Sequence, residues 1–342
     1  MCLAEKEKIG RIFQGVAQEA KQHLGELQKP KKRVILLAGP TAVGKSAIGI
    51  ALAQAMGGEI VSADSMQVYR GMDIGSSKPS LEDQKLVNHH LVDIRQVNEI
   101  FNVVDFYYEA RHSCQIIHAR ENVSVVVGGS GFYLHSFIYG PPNGPPSVPE
   151  LREKLEAEIE LFGAEFLYKR VVELDAKYAA TITKNDKQKI VRALEIMTLT
   201  GEKVSSMAWS SRRHPQNYDF RCWFLNRPRE SLYHRIEKRC MKMLEEGFID
   251  EVKALIEVGI KTNSSAAQAI GYRQAIEFLE SKQTEADYAR FISHFKQASR
   301  NYAKRQLTWF RREPMFRWLD LDMHDPEIVV DMIRQDFENG LT

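Results

Sequence analysis

Residues 39 to 46 read Gly-Pro-Thr-Ala-Val-Gly-Lys-Ser, and an apolar run of strand length, Val34 to Ala38, leads into them. This is the spacing of a phosphate-cradling loop, in which a strand feeds a glycine-rich turn and a helix opens at the lysine. Gly39 and Gly44 allow backbone conformations closed to bulkier residues, so that beyond Pro40, which has no N–H, those of Thr41, Ala42 and Val43 can face anionic oxygens. Lys45 supplies a movable cation for the terminal phosphate, and Ser46 a hydroxyl for Mg²⁺. The helix that follows points its positive dipole end at the same place. The motif names a di- or triphosphate and no reaction. A carboxylate, Asp64, follows shortly after at the end of the next strand-like segment. Beside bound phosphates it suits a general base acting on an acceptor, provided that a nearby group offsets the phosphate charge. The competing reading is a helix cap or turn residue.

The elements that must hold these groups alternate between strand and helix, as in a parallel sheet. Gly58 to Ser62 is a second strand, Val104 to Arg120 a helix, and Val123 to Val127 a third strand that runs into Gly128-Gly129-Ser130-Gly131. Ligands in open α/β sheets bind beyond the carboxyl ends of the strands. The glycine-rich loop, Asp64 and Ser130 all sit at such ends. An ATPase usually places an acid at the end of a neighbouring strand, where it helps to hold Mg²⁺ and water. Here the third strand ends in Gly-Gly-Ser, which argues against an ordinary nucleoside triphosphatase.

The pattern predicts an α/β fold: a P-loop NTPase-like parallel sheet flanked by helices, with an inserted small helical domain and a helical C-terminal region. Residues 1–33 read as a charged N-terminal extension with a short amphipathic helix on Ile9, Ile12, Phe13, Val16 and Ala20. Residues 34–140 read as the first part of the core. The Pro/Gly-rich stretch from Tyr139 to Pro146 breaks regular structure. Residues 141–216 then read as a helical insertion, with a stripe at Leu151, Leu155, Ile159 and Leu161, then helices over 166–174 and 187–199. A break at Ser210 to Pro215 precedes a strand from Arg221 to Leu225. Residues 217–320 complete the core with helices over 230–246, 249–258, 266–280 and 285–310, and 321–342 is left as a tail.

Whole-chain properties bound the function. The chain has 342 residues, 44% hydrophobic and 27% charged, as in an ordinary globular protein. A net charge of +2 means that any nucleic-acid surface must be a local patch. Cys2, Cys114, Cys222 and Cys240 are scattered without a C-x-x-C pair, which excludes a zinc ribbon and fits a reducing cytosol. No apolar run approaches the ~18 residues of a membrane span. We expect a cytoplasmic monomer without a membrane partner. His89 and His90 suggest a metal, but adjacent histidines point different ways and no third ligand is near; we read them as structural.

The segment from Phe295 to Arg312 carries Lys296, Arg300 and Lys304 at four-residue spacing, with Tyr302, Trp309 and Phe310 between cations and no acid. Basic residues that track phosphates, with aromatics that offer stacking faces, hold looped RNA. The residues alone leave a second reading open, a solvated face over a buried aromatic stripe.

A family resemblance decides between them. The phosphate loop, the block Ser62-Ala63-Asp64-Ser65-Met66-Gln67-Val68-Tyr69 through Pro79, His89 to Ile94, and Val127 to Tyr133 closely resemble the tRNA dimethylallyltransferase family. So do Asn185 to Glu195, Ala269 to Gln274, and Ala303 to Trp309, in order over most of the chain. The resemblance implies transfer of a dimethylallyl group from dimethylallyl diphosphate to N6 of the adenosine immediately 3′ of the anticodon, in tRNAs reading codons that begin with U. It implies that Gly39 to Ser46 bind the diphosphate leaving group, with Mg²⁺ on Ser46. Asp64 is then the base, with Ser130 and Arg235 beside the reacting groups. The anticodon stem-loop is expected to meet Asp64, Ser65, Met66, Gln67 and Ser130. On the insertion it is expected to meet Arg152, Gln188, Lys189, Ile190, Val191 and Arg192, and further on Gly271, Tyr272, Arg273, Lys304 and Arg305. Two positions depart from the family pattern. Ser130 stands for the usual threonine and loses the methyl that fixes its rotamer. Lys189 stands for an arginine and loses the bidentate fork. The alternatives are a P-loop kinase that uses ATP and Asp64 on a hydroxyl, and a non-catalytic RNA-binding protein with a vestigial loop.

Overall fold

The computed structural model describes residues 32–207 and 217–339. The expected N-terminal helix and the 210–215 break lie outside these residues. In chain order the elements up to residue 139 are β1 (Lys32–Ala38), α1 (Lys45–Ala55), β2 (Gly58–Ser62), α2 (Leu81–Leu86), β3 (His89–His90), α3 (Val103–Ala119), β4 (Val123–Gly128) and α4 (Gly131–Tyr139). The helical stretch then contains α5 (Pro149–Phe162), α6 (Ala164–Leu174), α7 (Ala176–Ala179) and α8 (Lys187–Thr200). Beyond it come β5 (Tyr218–Asn226), α9 (Arg229–Glu245), α10 (Phe248–Glu257), α11 (Ser264–Ala267), α12 (Tyr272–Leu279), α13 (Glu285–Phe310), β6 (Arg317–Asp320) and α14 (Pro326–Asn339).

The sheet has six strands in the order β3-β2-β4-β1-β5-β6. Every pair is parallel. Central β1 is buried on both faces, with Val34 to Ala38 fully inaccessible, which is why it reads as a continuous apolar run. The order matters for chemistry. β4 lies between β1 and β2, so the loop carrying Ser130 lies between the phosphate loop and Asp64. Gly128 permits the closest approach, since a Cβ there would stand 2.2 Å from the Ala63 carbonyl oxygen.

Among the described residues, those up to 138 and from 217 onward form one compact unit and those from 139 to 207 another. The second unit packs Leu155, Ile159, Leu167, Val171, Ile190 and Leu194 into its own core. Leu161, expected in that stripe, is 76% exposed, because two residues past Ile159 it falls on the opposite side of α5.

Two further expectations are corrected. The helix expected over 266–280 is broken into α11 and α12, with Gly271 at φ +90° between them. Residues 321–342 are not a tail, since α14 buries Val329, Val330 and Ile333. Its Asp336 is fully buried, paired with Arg221 and Arg317 and accepting from the Trp223 indole at 3.2 Å. Among the described residues no helix is long and apolar enough to cross a membrane.

Candidate active site at the carboxyl ends of the strands

The phosphate loop is held in its turn by positive φ at Ala42 and Gly44. Lys45 opens α1, and its Nζ donates to the Pro40 carbonyl at 2.8 Å, so the cation lies across the loop it serves. Thr41 and Ala42 line a cavity of about 320 Å³ together with Asp64, Ser65, Met66, Arg239, Tyr302 and Arg305, a ligand-sized space. Phosphate loop, carboxylate and the helix expected to meet RNA therefore line one cavity.

Asp64 does both things its sequence position allowed. Its Oδ1 accepts the Met66 N–H at 2.9 Å, a turn contact, while the residue still lines the cavity. The cation beside it is one that sequence reasoning missed. Arg239, one turn after Arg235 on α9, lines the cavity, and its charge is disfavoured by burial and favoured by Asp64. Arg235 stands at the phosphate loop itself. Its Nε donates to the Ala42 carbonyl at 2.9 Å and it lines a second cavity of about 550 Å³ with Gly44, Arg227 and Leu321. It supports the loop from behind. A cation recurring after four residues was the available signal for Arg239.

Burial first, and then the neighbouring Arg239 charge, push the Lys45 ammonium down to about 7, with Asp64 opposing. A bound diphosphate restores the proton, because its charge favours the ammonium. Above pH 7 donor binding must therefore take up a proton, and affinity must fall as pH rises. Below pH 7 Lys45 is already charged and the uptake disappears. Calorimetry of dimethylallyl diphosphate binding in buffers of different ionisation enthalpy should show uptake approaching one proton at about pH 8.5 and falling away at about pH 6. Equal uptake at both would contradict this origin.

Helix α13 supplies the opposite wall. Tyr302 engages the Ser130 side chain, and burial with the Asp64 charge pushes its hydroxyl up to about 12. Arg305 lies 5.6 Å from the Tyr302 ring centroid and also lines the cavity. Lys304 and Arg305 are exposed. Arg300, expected in an unopposed basic face, is paired with Glu237 of α9 at 2.5 Å. The buried Gln306 carboxamide joins two loops, accepting from Thr41 N–H and donating to the Gly129 carbonyl, both at 2.9 Å.

Most of the other residues expected at RNA also have partners within the protein. Gln67 accepts from Ser62 Oγ at 2.8 Å and donates to the Ser77 carbonyl at 3.2 Å, which ties down its loop. Tyr272 is 1% exposed and donates its hydroxyl to Glu251 at 2.8 Å, while Gly271 is buried at the turn. Arg273 is exposed, 3.7 Å from Glu277. In the helical unit Ile190 and Val191 are core residues. Arg192 pairs with buried Glu195 at 2.6 Å and donates to the Pro145 carbonyl. Gln188 and Lys189 are exposed, with Lys189 paired to Asp186 at 2.9 Å, and Arg152 reaches Ser147 Oγ at 3.4 Å. His90 is bonded to Glu59 at 2.7 Å and His89 to the Val87 carbonyl at 2.8 Å.

The side chains at the loop suit Mg²⁺ rather than a caged metal. Among the described residues no three His, Cys, Asp or Glu side chains gather as a metal cage. Ser46 stands exposed in the first turn of α1, next to the lysine. One hydroxyl plus diphosphate oxygens and water fits Mg²⁺, which keeps its waters and uses few protein ligands.

Comparison with known proteins agrees with this geometry. A family model described as IPP transferase matches residues 67–313. A tRNA dimethylallyltransferase of Protochlamydia amoebophila is 63% identical over 98% of this chain and 97% of its own. A crystal structure of the tRNA isopentenylpyrophosphate transferase of Bacillus halodurans, 36% identical, aligns over 91% of this chain and 98% of its own, with a TM-score of 0.66. A eukaryotic dimethylallyltransferase captured acting on tRNA aligns with a TM-score of 0.74 at 26% identity, over 90% of this chain and 80% of its own. The chain, with its phosphate loop and Asp64 facing one cavity, belongs to the tRNA dimethylallyltransferase family.

Proposed function

We propose that the chain transfers a dimethylallyl group from dimethylallyl diphosphate to N6 of the adenosine immediately 3′ of the anticodon, in tRNAs reading codons that begin with U. The observation that carries this is the shared cavity, in which Thr41 and Ala42 of the donor loop face Asp64, Arg239, Tyr302 and Arg305. An adenine stacked in an anticodon loop must be flipped out to enter such a cavity. Its exocyclic amine is a weak nucleophile, since the nitrogen lone pair is delocalised into the ring. As N6 bonds to C1 of the allyl group, the C1–O bond breaks, diphosphate leaves, and Asp64 accepts the N6 proton. Lys45 and Arg239 face the charge that builds on the leaving group. Ser46 would hold Mg²⁺ beside the diphosphate, and the ion would supply charge neutralisation there. Tyr302 and Arg305 offer the flipped nucleotide a ring face and a phosphate contact.

Dimethylallyl diphosphate and an unmodified anticodon stem-loop should yield pyrophosphate and N6-dimethylallyladenosine in equal amounts. ADP formation from ATP with a hydroxyl acceptor, and no pyrophosphate, would favour a kinase instead. The exposed cations carry a second prediction. Replacing Lys304 and Arg305 together by Ala should lower stem-loop affinity and reduce the magnitude of the log Kd against log salt slope by about 1 to 2. An unchanged slope would demote this face to scaffold.

A further inference from the structure

We propose that Gln306 is a positioning residue that couples acceptor binding to donor binding; the inference rests on the prenyl-transfer reading above. Both ends of its carboxamide are used, and the residue is 5% exposed. Its oxygen accepts from the N–H of the peptide unit joining Pro40 to Thr41, while the carbonyl of that same unit accepts from Lys45 Nζ. One amide plane thus holds the resting lysine on one side and Gln306 on the other. A diphosphate must draw Lys45 off Pro40 to reach its phosphates. Once the lysine leaves, Gln306 is the remaining side-chain anchor on that plane.

The other end of the carboxamide fixes the neighbouring loop. Gln306 Nε2 donates to the Gly129 carbonyl, and a Cβ on Gly129 would stand 2.3 Å from that nitrogen. The same helix carries the acceptor side. Tyr302, one turn earlier, engages Ser130 and lines the cavity, while Arg305 is the adjacent residue. Trp309, one turn later on that face, packs so closely on Gly131 that a Cβ there would lie 2.3 Å from the indole. RNA seated on Tyr302 and Arg305 orders this stretch of α13, and Gln306 passes that order to the 40–41 peptide. By linkage, a donor on the loop favours RNA by the same factor.

The test measures inorganic pyrophosphate binding with Mg²⁺ by calorimetry, to the protein alone and saturated with unmodified anticodon stem-loop RNA. For the native chain RNA should tighten pyrophosphate about fivefold or more. In Gln306→Met, which keeps the length and loses both hydrogen bonds, the ratio should collapse to about one while RNA alone still binds. Gly129→Ala provides an independent perturbation, because its methyl displaces the carboxamide without removing it, and it should lose the coupling too. A role confined to stability would lower the amount of active protein and leave the ratio intact. The proposal is overturned by a ratio of one in the native chain, or by variants that keep the native ratio. Failure of the prenyl-transfer reading shows separately, as absent turnover of dimethylallyl diphosphate by the native chain.

Discussion

Asp64→Asn should slow single-turnover prenyl transfer by about two to four orders of magnitude, the usual contribution of a general base. The substitution keeps the shape and an oxygen that can still accept the Met66 N–H, so the turn after β2 is retained. It removes the capacity to take the N6 proton, together with the carboxylate charge that favours the Lys45 ammonium and the Arg239 guanidinium. Stem-loop affinity should therefore change little, and filter binding beside quenched-flow kinetics separates the two effects. A rate within a few-fold of the native chain, with RNA bound normally, would assign Asp64 to the turn alone. Arg239 bears on the same point, because its half-buried guanidinium lines the same cavity and feels the Asp64 charge.

Lys45→Ala should weaken diphosphate binding by about 10- to 100-fold, since a charge-assisted hydrogen bond contributes about 1.5–3 kcal/mol and each 1.4 kcal/mol is about tenfold. It should also abolish the proton uptake above pH 7, because the titrating ammonium is gone. The two readouts are independent. Lost affinity with uptake retained would place the titrating group elsewhere in the cavity.

How much of this was legible in the sequence follows from the range of each signal. β1, the phosphate loop and α1 are local features, a buried run followed by glycines at fixed spacing, and they read directly. The stripe of α13 set its bounds at Glu285–Phe310 as expected. Two-residue β3 is too short to show a period, and Arg317–Asp320 of β6 depends on its neighbour β5 for pairing. The helix α14 was readable in retrospect from Pro326 followed by Val329, Val330 and Ile333 at helical spacing.

Side-chain roles were harder, because a partner distant in sequence decides them. Arg235 and Arg239 stand on the same helix, and only the tertiary fold decides that one grips the Ala42 carbonyl and the other faces Asp64. Gln67, Tyr272 and Arg192 have types suited to RNA, yet each is engaged by a partner within its own unit. Arg300 looked unopposed because Glu237 lies far back along the chain. Gln306 carried no sequence signal of its two loop contacts.

The central claim is that one cavity joins an allylic diphosphate to an adenine amine. Single-turnover transfer from labelled dimethylallyl diphosphate to an unmodified anticodon stem-loop, with Mg²⁺ and nuclease mapping of the product, tests it most directly. Label is expected on the adenosine immediately 3′ of the anticodon, with none when that base is replaced by guanosine and none with Asp64→Ala. Absence of RNA label from the native chain, or label that persists on the guanosine substrate, would contradict it.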